Sequence, residues 1–192
     1  IDWISRNPIK KILFTSSSEN YAGTTELYDV DIPTDESVPL CISDIKHPRW
    51  TYALTKIHGE LAFFHSSSIN NHNSTIIRYQ NIIGPEMGFG HAIPHIVQRF
   101  INDDSDIFKI YGHDQTRAFC YIDDAVIGTV GAMESKKSDS QIYHIGNTDE
   151  ISIETLTTYI GDLLKYTGRY AHSMTYPGSV SRRCPDITKA IN

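Results

Sequence analysis

The chain has 192 residues, enough for one large domain or slightly more, and its 40% hydrophobic and 10% aromatic content lies in the ordinary globular range. A net charge of −6, spread along the chain without a block of Lys and Arg, argues against nucleic acid or an anionic membrane as partner. No apolar run approaches the roughly 18 residues of a membrane span and Ile1 does not open a signal peptide, so a soluble protein is expected.

Cys41, Cys120 and Cys184 are far apart and form no C-x-x-C pair, which fits a reducing cytoplasm. None of the nine histidines falls in an H-E-x-x-H pattern, and no metal site is expected. The Asn73-Ser74-Thr75 sequon is read as chance. There is no initiator Met, and the chain ends just after residues 185–190, which read as the opening of a helix; a fragment is expected.

In chain order, residues 9–14 form a short branched-residue run that suits a buried parallel strand, ending at the polar Thr15-Ser16-Ser17-Ser18. Residues 22–48, with Pro33, Pro39 and Pro48, read as a long loop. Apolar residues at Tyr52, Ala53, Ile57, Leu61 and Phe64 follow helical spacing, with Pro48 just before the first turn, and predict a helix over 49–67. A strand over 74–78, a Gly and Pro loop over 81–90 and a helix over 92–101 follow.

Strands over 108–111 and 118–122 lead to a helix over 123–134, with Asp123 and Asp124 as N-cap and first-turn acid. A strand over 141–145 precedes a helix over 152–166 opened by Ser152. The alternation predicts α/β. A change of character near 81–90 divides the chain into 1–90 and 91–192, the second part expected to be mainly a substrate-binding lobe with some elements returning to the sheet.

Tyr52 and Lys56 are four residues apart, so a helix sets a phenol and an ammonium one turn apart on one face. A free phenol titrates near pH 10, and bringing one to neutrality takes about 4 kcal/mol of phenolate stabilisation, part of which a shielded ammonium supplies. Such a base could take a proton from a sugar hydroxyl as hydride leaves its carbon. Taken alone, the same spacing also suits a core tyrosine with its lysine reaching solvent. The serines at the strand end lie about 35 residues upstream and offer a hydroxyl for the same oxygen.

Residues 12–21, with Thr15-Ser16-Ser17-Ser18-Glu19, together with residues 48–56, resemble the catalytic region of the NAD-dependent nucleotide-sugar epimerase/dehydratase family of extended short-chain dehydrogenases. Residues 78–85 resemble its R-x-x-N-x-x-G-P loop, 111–119 its Y-G-x-G-x-Q-x-R-x-F segment, and 182–186 its closing Arg-rich piece. The resemblance implies the C-terminal part of a doubly wound parallel-sheet, Rossmann-like domain plus a small α/β substrate lobe.

It further implies Ser17 as the catalytic hydroxyl, Tyr52 as the base, and Lys56 as the residue that favours the tyrosinate and bonds the nicotinamide ribose. Glu19 would act after the first oxidation. Ser16, Tyr52, Lys56 and Tyr79 would contact NAD, with NADP also compatible. Asn81, Arg117, Arg182 and Arg183 would hold the nucleotide diphosphate, and arginines brought from separate segments suit that role because forked donors can clamp both phosphates. The partners implied are a nucleotide-sugar and a second copy of the chain.

The sequence also departs from the family. The Gly-rich turn that receives the dinucleotide pyrophosphate lies roughly a hundred residues before the Ser in the family, a position outside the sequence that starts at Ile1. Tyr21-Ala22-Gly23 is one residue longer than the usual Tyr-Gly, and His113 stands where a Gly is usual. Oxidation of the sugar at C4 is the expected chemistry, with epimerisation ahead of UDP-glucuronate decarboxylation or 4,6-dehydration. A non-catalytic nucleotide-sugar or NAD-binding module is the alternative of another class.

Overall fold

A computed structural model describes residues 1–102, 105–175 and 179–192. After a short helix α1 (Asp2–Arg6), strand β1 (Lys11–Ser17) ends in a 3-10 turn over residues 18–21 and a two-turn helix α2 (Ala22–Leu27). The loop expectation for 22–48 missed α2. Its Thr-Thr-Glu sequence carries little intrinsic helix signal, and tertiary contacts hold it instead: Gly23 lies where a Cβ would meet Cys41 O and the Trp50 ring, and Thr24 Oγ1 donates to Pro39 O.

Helix α3 (Arg49–Asn70) runs three residues past its expected end, to Asn71 in the left-handed conformation at φ 53°. It packs on β1 through a Phe14–Phe63 stack at 4.9 Å and through Gly59, whose missing side chain leaves room for the Phe14 ring. Strand β2 (Asn73–Tyr79) is buried from Ser74 to Arg78 and lies between β1 and a later strand (Gln141–Ile145), parallel to both. Asn73 sits in that ladder with its amide on Asp139, so the sequon is part of a sheet.

Strand β3 (Ile82–Ile83) breaks the predicted 81–90 loop by pairing with a later strand, β6. Helix α4 (Ala92–Asn102), β4 (Ile107–Tyr111), β5 (Thr116–Ala118) and β6 (Cys120–Tyr121) follow. The single strand expected over 118–122 is thus two, and Ile122 already opens α5 (Ile122–Glu134), with Tyr121 as its N-cap and Asp123 and Asp124 in its first turn. Strand β7 (Gln141–Ile145) completes the sheet β1-β2-β7.

Strand β8 (Glu150–Ser152) leads into α6 (Ile153–Leu163), whose N-cap Ser152 accepts from Thr155 N at 3.0 Å. Strand β9 (Arg169–Ser173) pairs with β4, and β10 (Arg182–Arg183) joins β5 and β8 in a second three-stranded sheet before α7 (Thr188–Ile191). Strands β8, β9 and β10 were not anticipated, since two to five residues of mixed polarity carry no period of their own.

One core lies between α4, β4 and α6, built on Ile96, Phe108, Ile110, Leu156 and Ile160. A second joins the β1-β2-β7 sheet to α5 through Ile77, Cys120, Ala125 and Ile145. The long loop is pinned over the end of that sheet: Thr34 N donates to Cys184 O at 3.0 Å, and Glu36 accepts from His144 N at 2.8 Å. Among the described residues no helix is long and apolar enough to cross a membrane.

His144 is fully buried beneath this loop, and burial, with Arg78's charge in support, pulls its pKa down to about 4. The unfolded chain therefore binds a proton below about pH 6.5 that the folded one refuses until about pH 4. The neutral ring's contribution is complete above pH 6.5 and is lost as pH falls through that window, by about 3 kcal/mol in all. Urea midpoints taken from pH 7 to pH 4.5 are expected to fall with this slope, and His144→Gln is expected to flatten it.

Candidate functional site

A half-open cavity of about 780 Å³ lies where the end of β1, the start of α3, the 79–92 segment, α4 and the β5-β10 pair meet. That volume is in the range of small-molecule sites. Of the residues expected to be catalytic, Ser17, Glu19 and Tyr52 line it. Ser17 ends β1 and its Oγ caps the 3-10 turn by accepting from Glu19 N at 3.2 Å, which fixes the serine and the glutamate as one rigid corner. Tyr52, in the first turn of α3, is half exposed.

Lys56 lies one turn further along, outside the cavity lining. Its Nζ donates to Thr15 O at 2.8 Å and stands 5.7 Å from the centre of the Tyr52 ring. Among the cofactor candidates, Tyr79 also lines the cavity, with its hydroxyl bonded to Thr129 at 2.6 Å. Ser16 points to the other face of β1, as strand alternation requires. It is buried, donating to Glu60 Oε1 at 2.6 Å and accepting from Asn20 at 2.9 Å.

Glu60 is the centre of that network. It takes a bidentate bond from Arg78, at 2.9 and 2.8 Å, and a further one from Asn20 at 2.7 Å. Because it follows Tyr52 and Lys56 at four-residue steps, it ties the helix that carries both to β2 and to the Ser17 corner. Sequence reading missed it.

Asn81 lines the cavity in a left-handed conformation, φ 41°, with its amide on Ala118 O at 3.0 Å. The three arginines separate by strand register. β10 runs parallel to β5 with Arg183 opposite Arg117 and Arg182 opposite Thr116, and alternate residues face opposite ways. Arg117 and Arg183 therefore share the cavity face. Arg182 faces the other side and pairs with Glu150 at 2.6 Å, outside the cavity lining.

Burial pulls the Arg117 pKa down to about 10, and the charge of Arg183 beside it adds to the effect. Two crowded guanidinium groups in a partly dry pocket favour an anion between them. Among the described residues Glu19 is the only carboxylate in the lining, and it bonds Arg183 at 2.5 Å and Arg49 at 2.9 Å. Burial raises its pKa, but the two arginines together outweigh that and hold it below the ordinary carboxylate value.

The cavity also takes in His91, His95, Arg99, Tyr111, Gln115 and Phe119. His91 and His95 stand one helical turn apart, and Arg99 another turn on, a spacing readable in the sequence. Among the described residues no group of three or more metal-ligating side chains could hold a metal ion.

The profile of the NAD dependent epimerase/dehydratase family matches residues 1–146. UDP-N-acetyl-alpha-D-glucosaminuronate decarboxylase of Bacillus cytotoxicus is 33% identical over 189 residues, covering 94% of this chain and 56% of that protein. UDP-glucuronate 4-epimerase of Thermodesulfobacterium geofontis is 26% identical over 184 residues, covering 95% and 52%. The chain thus spans about half the length of these relatives. The crystal structure of UDP-glucuronic acid 4-epimerase from Bacillus cereus, in complex with UDP-glucuronic acid and NAD, superposes with a TM-score of 0.80 at 23% identity, over 98% of this chain and 56% of that one. That likeness establishes the Rossmann-like fold, and the profile match over three quarters of the sequence establishes more: the chain belongs to the NAD dependent epimerase/dehydratase family.

Proposed function

We propose that the chain supplies the proton-transfer centre and the diphosphate clamp of an enzyme that oxidises a nucleotide-linked sugar at C4 with NAD. The observation that carries this reading is the lining of one cavity by Ser17, Glu19 and Tyr52 together with Arg117 and Arg183. Residues 91–192 contribute the substrate side of it, through α4 and the β5-β10 pair.

The residues fit NAD at the open side of Tyr52. Tyr52 is half exposed, Lys56 uses one ammonium proton on Thr15 O, and among the described residues β1 pairs only with β2. Lys56 and Tyr52 would hold the nicotinamide ribose, and the cofactor would accept the hydride from C4. Tyr52 takes the proton of the C4 hydroxyl, Ser17 bonds the same oxygen, and Arg117 and Arg183 hold the diphosphate so that C4 stays in place.

Return of hydride to the opposite face of the ketone gives the 4-epimer. A second outcome is favoured by Glu19, a carboxylate fixed beside Ser17, and by the decarboxylase relative. A C5 carboxylate is β to the C4 ketone. Carbon dioxide leaves with cleavage of the bond to C5, its electron pair forms the enolate, and C5 then takes a proton before hydride returns.

The test is to incubate the full-length gene product carrying this chain with NAD and, separately, UDP-glucose and UDP-glucuronate. A 4-epimer as product supports the first outcome, and carbon dioxide with a UDP-pentose the second. Saturable binding without NADH absorbance or product would place the chain among binding modules.

Removing one charged donor from the clamp costs roughly 10- to 100-fold in affinity. Arg183→Ala is expected to weaken UDP-glucose binding by that factor in calorimetry. Arg182→Ala, on the other face of β10, is expected to leave it within about threefold. Two further inferences belong here. Leu54 and Leu61, half exposed on α3, suit a homodimer, checked by sedimentation of the full-length protein. Three free thiols suit a reducing cytoplasm.

A further inference from the structure

We propose that Glu19 is an internal stand-in for the ligand's diphosphate, and that Arg183 passes from Glu19 to a phosphate when the ligand enters, so that occupancy of the clamp releases the carboxylate beside Ser17. The inference rests on the clamp reading above and deepens it.

Arg183 has two claims on it. On one side it stands opposite Arg117 in the β10-β5 register, where an anion between the two guanidinium groups would be shared. On the other it donates to Glu19 Oε1 at 2.5 Å, while Glu19 Oε2 is held by Arg49 at 2.9 Å. Among the described residues Glu19 is the one acid lining the cavity, and the bonds of Arg117 to the backbone oxygens of Thr116 and Val180, at 2.7 and 2.6 Å, come from Nη1 and Nη2 and leave Nε for an anion. The carboxylate therefore occupies the anion's share of the clamp. Arg183 meets Glu19 through Nη1, so a diphosphate oxygen that takes the Nη1 edge of the fork competes with the carboxylate for it, and the dianionic ligand, bridging two arginines, wins it.

Two consequences separate this exchange from a merely structural role. The first is competition. Removing the carboxylate charge removes the rival, so Glu19→Gln tightens ligand binding, whereas a residue that only shaped the Ser17 corner would weaken it when changed. The second is proton linkage. With Arg183 drawn away, Glu19 keeps one cationic partner instead of two and holds a proton more readily. The group freed is therefore able to give or take a proton at the sugar only when a ligand is bound.

Arg49 lies outside the cavity lining and bonds Glu19 at Oε2, whereas Arg183 takes Oε1. It is a positioning residue in this scheme. Its loss concentrates Glu19 on Arg183 and so weakens the ligand.

The test uses the full-length protein carrying this chain and UDP-glucose, whose phosphates stay ionised at pH 5, titrated calorimetrically at that pH in two buffers of different ionisation heat. Expected are binding about tenfold tighter in Glu19→Gln, weaker binding in Arg49→Met that is restored in the double variant, and net proton uptake in the wild type that Glu19→Gln abolishes. Glu19→Asp keeps the charge with a shorter reach and is expected to bind more tightly than wild type; binding equal to wild type would assign the Gln effect to net charge alone and overturn the exchange. Unchanged or weaker binding in Glu19→Gln, with the wild type binding normally, overturns the proposal while leaving the clamp intact. No binding by either protein overturns the clamp reading itself.

Discussion

In the full-length protein, Tyr52→Phe is expected to lower kcat by about 10²- to 10⁴-fold while leaving the affinity for nucleotide-sugar within a few-fold. Only the ionisable oxygen is removed. The ring that forms part of the cavity wall and the Lys56 ammonium 5.7 Å from its centre remain, and Arg117 and Arg183, the proposed clamp, lie on other elements. Separate measurement of kcat by steady-state assay and of Kd by calorimetry gives the split. A variant keeping more than about a tenth of wild-type kcat is incompatible with Tyr52 as the base.

The second large effect concerns stability. Glu60 and Arg78 are nearly inaccessible, with side chains 5% and 3% exposed, and their bidentate bond joins α3 to β2 while Ser16 and Asn20 attach β1 and the 3-10 turn. Glu60→Ala leaves the Arg78 guanidinium buried without its counter-charge, which costs about 3–5 kcal/mol. For a chain of this size the midpoint of thermal unfolding is expected to fall by roughly 6–20 °C. The paired change Glu60→Leu with Arg78→Met removes both charges and is expected to recover most of the loss. If the double variant is as unstable as the single one, the ion pair is not the source of the effect.

Which parts of this arrangement could be read from the sequence follows from how each is held. Helix α3 and strand β2 were legible because each has enough residues to show its own period or its continuous burial. Strands β8, β9 and β10 exist only by pairing with β5 and β4, and pairing leaves no mark in two to five residues. That Ser17 and Tyr52 would meet at one cavity was legible through spacing and resemblance, since helix and strand end fix their places locally.

What was not legible depends on long-range register. Arg182 and Arg183 are neighbours in sequence and equivalent in chemistry, and only the alternation of β10 sends one into the cavity and the other to Glu150. Glu19 owes its double pairing to residues 30 and 164 positions away. Glu60 reads as an ordinary helix-surface acid until Arg78, Ser16 and Asn20 are brought round it from three other segments.

The tandem Arg182-Arg183 has a further bearing on how faults in the chain are absorbed. A two-residue strand is weakly specified, and a slip of one position turns every side chain to the opposite face. In most strands that error would empty the site of its cation. Here the slip carries Arg182 into the cavity and hands Arg183 to Glu150, so the charge on both faces is conserved. Error tolerance of this kind is a property of the doublet and not of either residue, and it is lost when either arginine is replaced, even the one that faces Glu150.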